Sequence, residues 1–177
     1  FWLYAARTLY AVTSFQLREK NQHSFANLTR ALFSKDLKEL ANIVKGTAAE
    51  TLTSADIEKT ALCVKVTILT FCKSLLYLPD DSQANFSFKR WMESDDQDSW
   101  LFICSNQDRK EAVNPIMTVW VDLAFHSLLR LPKDLDRRVW FFLDELDSLN
   151  QLPRLIEIAE RGRKKGSCLV TGFQDVN

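Results

Sequence analysis

The stretch Arg138-Val-Trp-Phe-Phe-Leu-Asp144-Glu145 decides how this chain is read. Five apolar residues in a row, Val139 to Leu143, are too short for a helix of ordinary length and do not alternate as a half-exposed strand does. A parallel strand covered on both faces has this unbroken apolar character. Such strands must be joined by crossovers, usually helices. The flanking sequence supplies them, with a helical stretch from Val113 to Leu131 before the run and a short helix from Arg154 to Lys165 after it. Further apolar runs, Trp100 to Cys104 and Ser167 to Thr171, predict two more strands. Three strands are too few to complete a sheet of this type, so residues 85–177 read as part of a parallel α/β domain.

Upstream the pattern differs. Trp2, Ala5, Ala6, Leu9, Val12 and Phe15 recur at three- and four-residue steps and predict one helix from Phe1 to about Lys20. Ser24 and Ser34 precede short periodic segments and Gly46 follows the second, as capped and glycine-terminated helices require. Thr53 and Ser54 then open a long apolar run, Ile57 to Leu78, that ends at Pro79 and reads as a soluble core helix because Lys65 and Lys73 interrupt it. Residues 1–84 are therefore expected to be an all-helical bundle. An acidic stretch between Pro79 and Ser99 separates the two parts.

The chain has 177 residues, 46% hydrophobic and 26% charged, which excludes disorder and leaves room for a core. Only four Gly and four Pro argue against a turn-dense sandwich or barrel. Lys and Arg number 23, as do Asp and Glu, so overall charge points to neither nucleic acid nor membrane. The balance conceals an asymmetry of net +4 over residues 1–90 and net −4 over 91–177. Cys63, Cys72, Cys104 and Cys168 form no metal-ligand spacing, and three lie in apolar runs, which suggests small buried side chains in a reducing compartment. A chain that opens with Phe1 inside a helical pattern is expected to be part of a longer polypeptide.

Asp144 and Glu145 follow the central strand at the end where α/β sheets open into a ligand crevice. A hydrophobic strand followed by two carboxylates is the arrangement of a Walker B segment. The first carboxylate holds Mg²⁺, and the second orients or deprotonates the water that attacks a γ-phosphate. The same pair also suits a plain acidic helix start, since carboxylates are favoured at helix N-termini.

The text from Trp140 to Leu155, followed by Glu160-Arg-Gly-Arg-Lys-Lys-Gly166 and Thr171-Gly-Phe-Gln174, resembles type IV secretion coupling proteins of the TraD and TrwB kind. Phe86-Ser-Phe-Lys-Arg-Trp91, Trp100-Leu-Phe-Ile, Val119-Trp-Val-Asp-Leu and the opening Phe1-Trp with Ala5-Ala-Arg7 agree with it, while residues 20–78 carry little that matches. The resemblance implies an all-alpha domain over residues 1–84 and part of a RecA-like nucleotide-binding domain over 85–177. It implies a membrane-anchored, hexameric ATPase at the cytoplasmic face of the bacterial inner membrane, which uses ATP and Mg²⁺ to feed single-stranded DNA, with its attached relaxase, to a type IV secretion channel.

Residue by residue, it makes Asp144 the Mg²⁺-linked aspartate and Glu145 the water-activating carboxylate. Arg163 becomes the arginine that reaches a neighbouring subunit's nucleotide, and Gln174 the sensor of the γ-phosphate. The bland alternative for Arg163 is that Arg161, Arg163, Lys164 and Lys165 complement a helix C-terminus. His23 and His126 are expected to be structural, and the five tryptophans, Trp2, Trp91, Trp100, Trp120 and Trp140, to be core or interface anchors and not base-stacking platforms. The 177 residues depart from the family in having no Gly-x-x-x-x-Gly-Lys-Ser/Thr loop, so phosphates lack a cradle and turnover by this chain alone is not expected. Two other readings stay open: a substrate-binding module without its own catalysis, and a fragment of a RecA-like helicase.

Overall fold

The computed structural model describes residues 1–22, 24–34, 36–78, 86–94, 99–146, 149 and 151–173. The chain forms two compact units, Phe1–Gln83 and Ala84–Asn177.

The first unit is helical. Helix α1 spans Trp2–Glu19 and buries Ala5, Ala6, Leu9, Thr13 and Leu17. The buried stripe thus runs through Thr13, and Phe15, expected on that face, is exposed. After α1, Asn21 takes a left-handed turn at φ 55° and the Gln22 N–H reaches back to the Leu17 carbonyl, which satisfies the helix end. Helix α2, Phe25–Thr29, begins at Ser24, whose hydroxyl accepts from the Asn27 N–H, and runs on into a π-helical turn, Arg30–Ser34. Helix α3, Leu37–Val44, is capped by Asp36 and not by Ser34: the Asp36 carboxylate accepts the Glu39 N–H at 2.7 Å. A carboxylate at this position also complements the helix dipole.

Helix α4 covers Glu58–Cys72 and tightens to a 3-10 turn over Lys73–Tyr77. The regular α-helix is shorter than the run Ile57 to Leu78 suggested. Thr67 and Thr70 bond back to the carbonyls of Cys63 and Val66, a habit that weakens helices. By length and composition alone, Glu58–Tyr77 and Gln107–Arg130 are apolar enough to cross a membrane. Here each contributes to a protein core. Leu9, Leu32, Leu40, Val44, Val64 and Ile68 interlock in the first unit's core.

The second unit combines helices α5 (Phe88–Glu93), α6 (Lys110–Arg130) and α7 (Leu155–Arg161) with strands β1 (Val139–Leu143) and β2 (Ser167–Thr171). The strands pair in parallel, Val139 opposite Ser167 through Leu143 opposite Thr171, with α7 in the connection. The fold is mixed α/β, as expected. Phe125 and Leu128 of α6, Ile158 of α7 and Leu143 of β1 form the core, and Phe125 meets Phe141 edge-on at 5.0 Å.

Two expectations fail here. Trp100 to Cys104 forms no strand, because the described residues offer its backbone no third strand to pair with. The sheet is covered on one face only: Val139, Phe141, Leu143 and Leu169 join the core, whereas Trp140, Phe142 and Val170 on the other face are exposed. The described helices α6 and α7 pack against the first of these faces, through Phe125, Leu128 and Ile158.

The same geometry corrects the reading of the cysteines and separates the tryptophans into packed and exposed ones. None of the cysteines is buried: Cys63 and Cys104 are exposed and Cys72 and Cys168 half-buried, with partial burial raising the Cys72 thiol above its ordinary pKa. Trp91 packs against the core as expected, but Trp100 and Trp140 are exposed, each stacked on the phenylalanine two residues on, Phe102 and Phe142.

Candidate active site

Strand β1 delivers Asp144 and Glu145 to a turn at its carboxyl end. Among the described residues the next α-helix, α7, starts at Leu155 and carries Glu157 in its first turn. Glu145 adopts φ 51°, the left-handed region. For a residue with a Cβ that conformation costs about 1–2 kcal/mol, and strain of this kind concentrates at functional sites. Asp144 is exposed, and its Oδ1 accepts the Glu145 backbone N–H at 3.1 Å.

The exit of β2 lies directly alongside. Gly172 donates its N–H to the Leu143 carbonyl at 2.8 Å and accepts the Leu146 N–H at 3.0 Å. A Cβ at position 172 would stand 2.9 Å from Asp144 Oδ1, so glycine lets the two strand ends approach while leaving the carboxylate open.

From the other side Lys110, the first residue of α6, pairs its ammonium with Glu145 Oε2. Sequence reading missed this residue because it began the helix at Val113 and so left Lys110 in a loop. A second ion pair, Arg154 with Asp122 of α6, ties the entrance of α7 to the long helix; the Asp122 carboxylate also accepts the Arg154 backbone N–H at 3.3 Å. Asp122 lay inside a stretch noted for its resemblance, with no local sign of a partner 32 residues on.

The remaining sequence-derived residues lie elsewhere. Arg163 is exposed in the 3-10 turn Gly162–Lys165, just before β2. In the parallel register that turn stands at the amino-terminal end of the sheet, a full five-residue strand or ~16 Å from the carboxylates. Arg163 therefore cannot join Asp144 and Glu145 of its own chain. The helix-end explanation suits Lys165, whose ammonium bonds the carbonyl of Leu131 at the end of α6. Arg163 shares that last turn with Lys164 and Lys165, so the helix-end explanation also fits its position. Gly166, at φ 88°, closes the turn, and a Cβ there would sit 2.5 Å from the Arg137 carbonyl oxygen. Gln174 and His23 lie outside the described residues, and His126 is half-buried in α6.

A helical unit followed by a parallel α/β unit has the make-up of an all-alpha domain joined to part of a nucleotide-binding domain. The model of the family described as the type IV secretion-system coupling protein DNA-binding domain matches residues 1–177, and the chain belongs to that family. It is 33% identical to the coupling protein TraD of Escherichia coli (strain K12) over 179 residues, which covers 98% of this chain and 25% of TraD. Among solved structures it is similar to the bacterial conjugative coupling protein TrwBdeltaN70 in complex with sulphate, with a TM-score of 0.82 at 30% identity, covering 98% of this chain and 41% of that one. The plasmid coupling protein TrwB in complex with ADP and Mg²⁺ matches equally well, with a TM-score of 0.82 at 29% identity over 97% of this chain and 41% of the other. The chain thus spans a quarter of TraD and about two fifths of the TrwB chains.

Proposed function

We propose that these residues belong to a coupling ATPase that moves single-stranded DNA, with its relaxase, toward a type IV secretion channel, working as a hexamer at the cytoplasmic face of the inner membrane. Family membership across all 177 residues supports the coupling role. The observation that carries the catalytic part is the turn at the end of β1, where an exposed aspartate stands beside Gly172 and is followed by a glutamate in the left-handed region. On this reading residues 1–84 act as the all-alpha domain that touches DNA, and 85–177 as the Walker B half of the nucleotide-binding domain.

The donor set fits Mg²⁺, which takes one or two carboxylates and keeps several waters. On this reading Asp144 would hold it. When bound with ATP, the ion neutralises charge on the phosphates. Glu145 orients the attacking water and accepts its proton, Arg163 serves the nucleotide of a neighbouring subunit, and Gln174 senses the γ-phosphate. The phosphate cradle has to come from outside these 177 residues, so titration of ATP and Mg²⁺ into the chain alone is expected to show no turnover.

In the full-length polypeptide that carries this chain, Glu145→Gln is expected to keep nucleotide binding and lose hydrolysis, because an amide oxygen cannot take the proton yet changes shape little. Asp144→Ala should weaken Mg²⁺-dependent binding as well. Hydrolysis by the glutamine variant at the wild-type rate would remove Glu145 from the mechanism.

A further inference from the structure

Two residues near the β1 exit sit where local physics disfavours them. Lys110 places a cation at the first position of α6, where the helix dipole is positive. Glu145 holds a left-handed backbone conformation that side chains with a Cβ avoid. Each penalty is offset by the other residue, since the Lys110 ammonium and Glu145 Oε2 form an ion pair between positions 35 residues apart. Neither side chain is sequestered, with 37% of Lys110 and 35% of Glu145 accessible, so the pair faces the open end of the sheet where ligands of α/β proteins bind.

A glutamate on a turn has three side-chain torsions to settle before its carboxylate can meet a water molecule in one place. Catalysis by positioning requires that settlement beforehand, and a displacement of about 1 Å can lower a rate by ~10²-fold. Lys110 reaches Glu145 from a different element, the 21-residue α6, which is anchored in the core through Phe125 and Leu128. The rigid body of the unit thereby holds the carboxylate from outside the turn. We propose that Lys110 is the positioning residue for Glu145, holding its carboxylate at the site of water activation. This rests on the assignment of Glu145 as the water-activating carboxylate.

The test compares steady-state hydrolysis and nucleotide affinity in the full-length polypeptide for wild type, Glu145→Gln, Lys110→Met, Lys110→Arg and the double variant Lys110→Met/Glu145→Gln. The expected result is a fall in kcat of ~10²-fold for Lys110→Met, with KM and ATP affinity unchanged. Lys110→Arg should recover part of the loss, and the double variant should be no slower than Glu145→Gln alone, since a positioned group that is already disabled has nothing more to lose. A Lys110→Met enzyme with near wild-type kcat, while Glu145→Gln is inactive, overturns the positioning role and leaves the base assignment standing. A loss that multiplies with that of Glu145→Gln, or that comes with weakened nucleotide binding or a lowered melting temperature, also overturns it, because damage to the fold and not to Glu145 would then be the cause. If Glu145→Gln hydrolyses ATP like wild type, the base assignment fails and the proposal falls with it.

Discussion

Thr13 is fully buried in α1 and its hydroxyl has no hydrogen-bond partner among the described residues. An orphaned buried polar group costs about 1–3 kcal/mol, and valine has almost the same shape. Thr13→Val is therefore expected to stabilise the first unit by ~1 kcal/mol, which for a unit of this size raises its melting temperature by about 4–8 °C. A thermal melt decides it, and an unchanged or lower midpoint would mean that the hydroxyl does find a partner. The same residue shows why the buried stripe was misplaced from sequence. Phe15 is the more hydrophobic side chain, so apolar spacing put it inward, yet the helix face is set by Ala5, Leu9, Thr13 and Leu17 together. Lys110 was illegible for a different reason: its partner is 35 residues distant, and nothing local marks a lysine as paired.

At the scale of elements, β1 and β2 could be placed from their short apolar runs between helical stretches, although the burial on both faces that such runs suggest did not follow. Trp100 to Cys104 has the same composition and is no strand, since pairing depends on a neighbour that local sequence does not describe. Asp144 and Glu145 were legible through their place after a strand, whereas Gly172 gained meaning only when its approach to Asp144 could be measured. The connection from α6 to β1 makes a prediction of its own. Asp134 accepts the backbone N–H groups of Arg137 at 3.0 Å and Asp136 at 2.9 Å, and these bonds, the Arg137 one foremost, hold its carboxyl below the ordinary range, with the nearby Arg137 and Arg138 guanidiniums adding to the effect. A group whose pKa is lowered by folding contributes stability above its ordinary value and loses it as pH falls through the lowered one. Asp134→Ala should thus melt earlier than wild type at pH 7, and the gap should close on acidification below about pH 4. A gap independent of pH would show that the turn is held by something other than the charge.

For the whole molecule, the position of Arg163 at the far end of the sheet makes the proposed motor depend on assembly. An arginine that serves a neighbour's nucleotide contributes about 10³–10⁵ in rate in other hydrolases, whereas a helix-end charge contributes only about 0.3–1 kcal/mol of stability. Mixing full-length Arg163→Ala with full-length Glu145→Gln should restore part of the ATPase activity that each lacks alone, because some interfaces then join an intact carboxylate to an intact arginine. Near-normal hydrolysis by Arg163→Ala by itself would return the basic turn to a structural role. Trp140, Phe142 and Val170, lined up on one uncovered face, also set how the separated polypeptide behaves in solution. Apolar patches and unpaired strand edges are templates for self-association, so the 177-residue chain should gather into concentration-dependent assemblies through this face. Replacing Trp140 and Phe142 by threonine keeps the preference for extended backbone while removing the adhesive surface. Light scattering after size exclusion should then report a monomer where the wild-type chain gives a heavier, drifting mass, which makes the double variant the form to prepare for solution work on either unit.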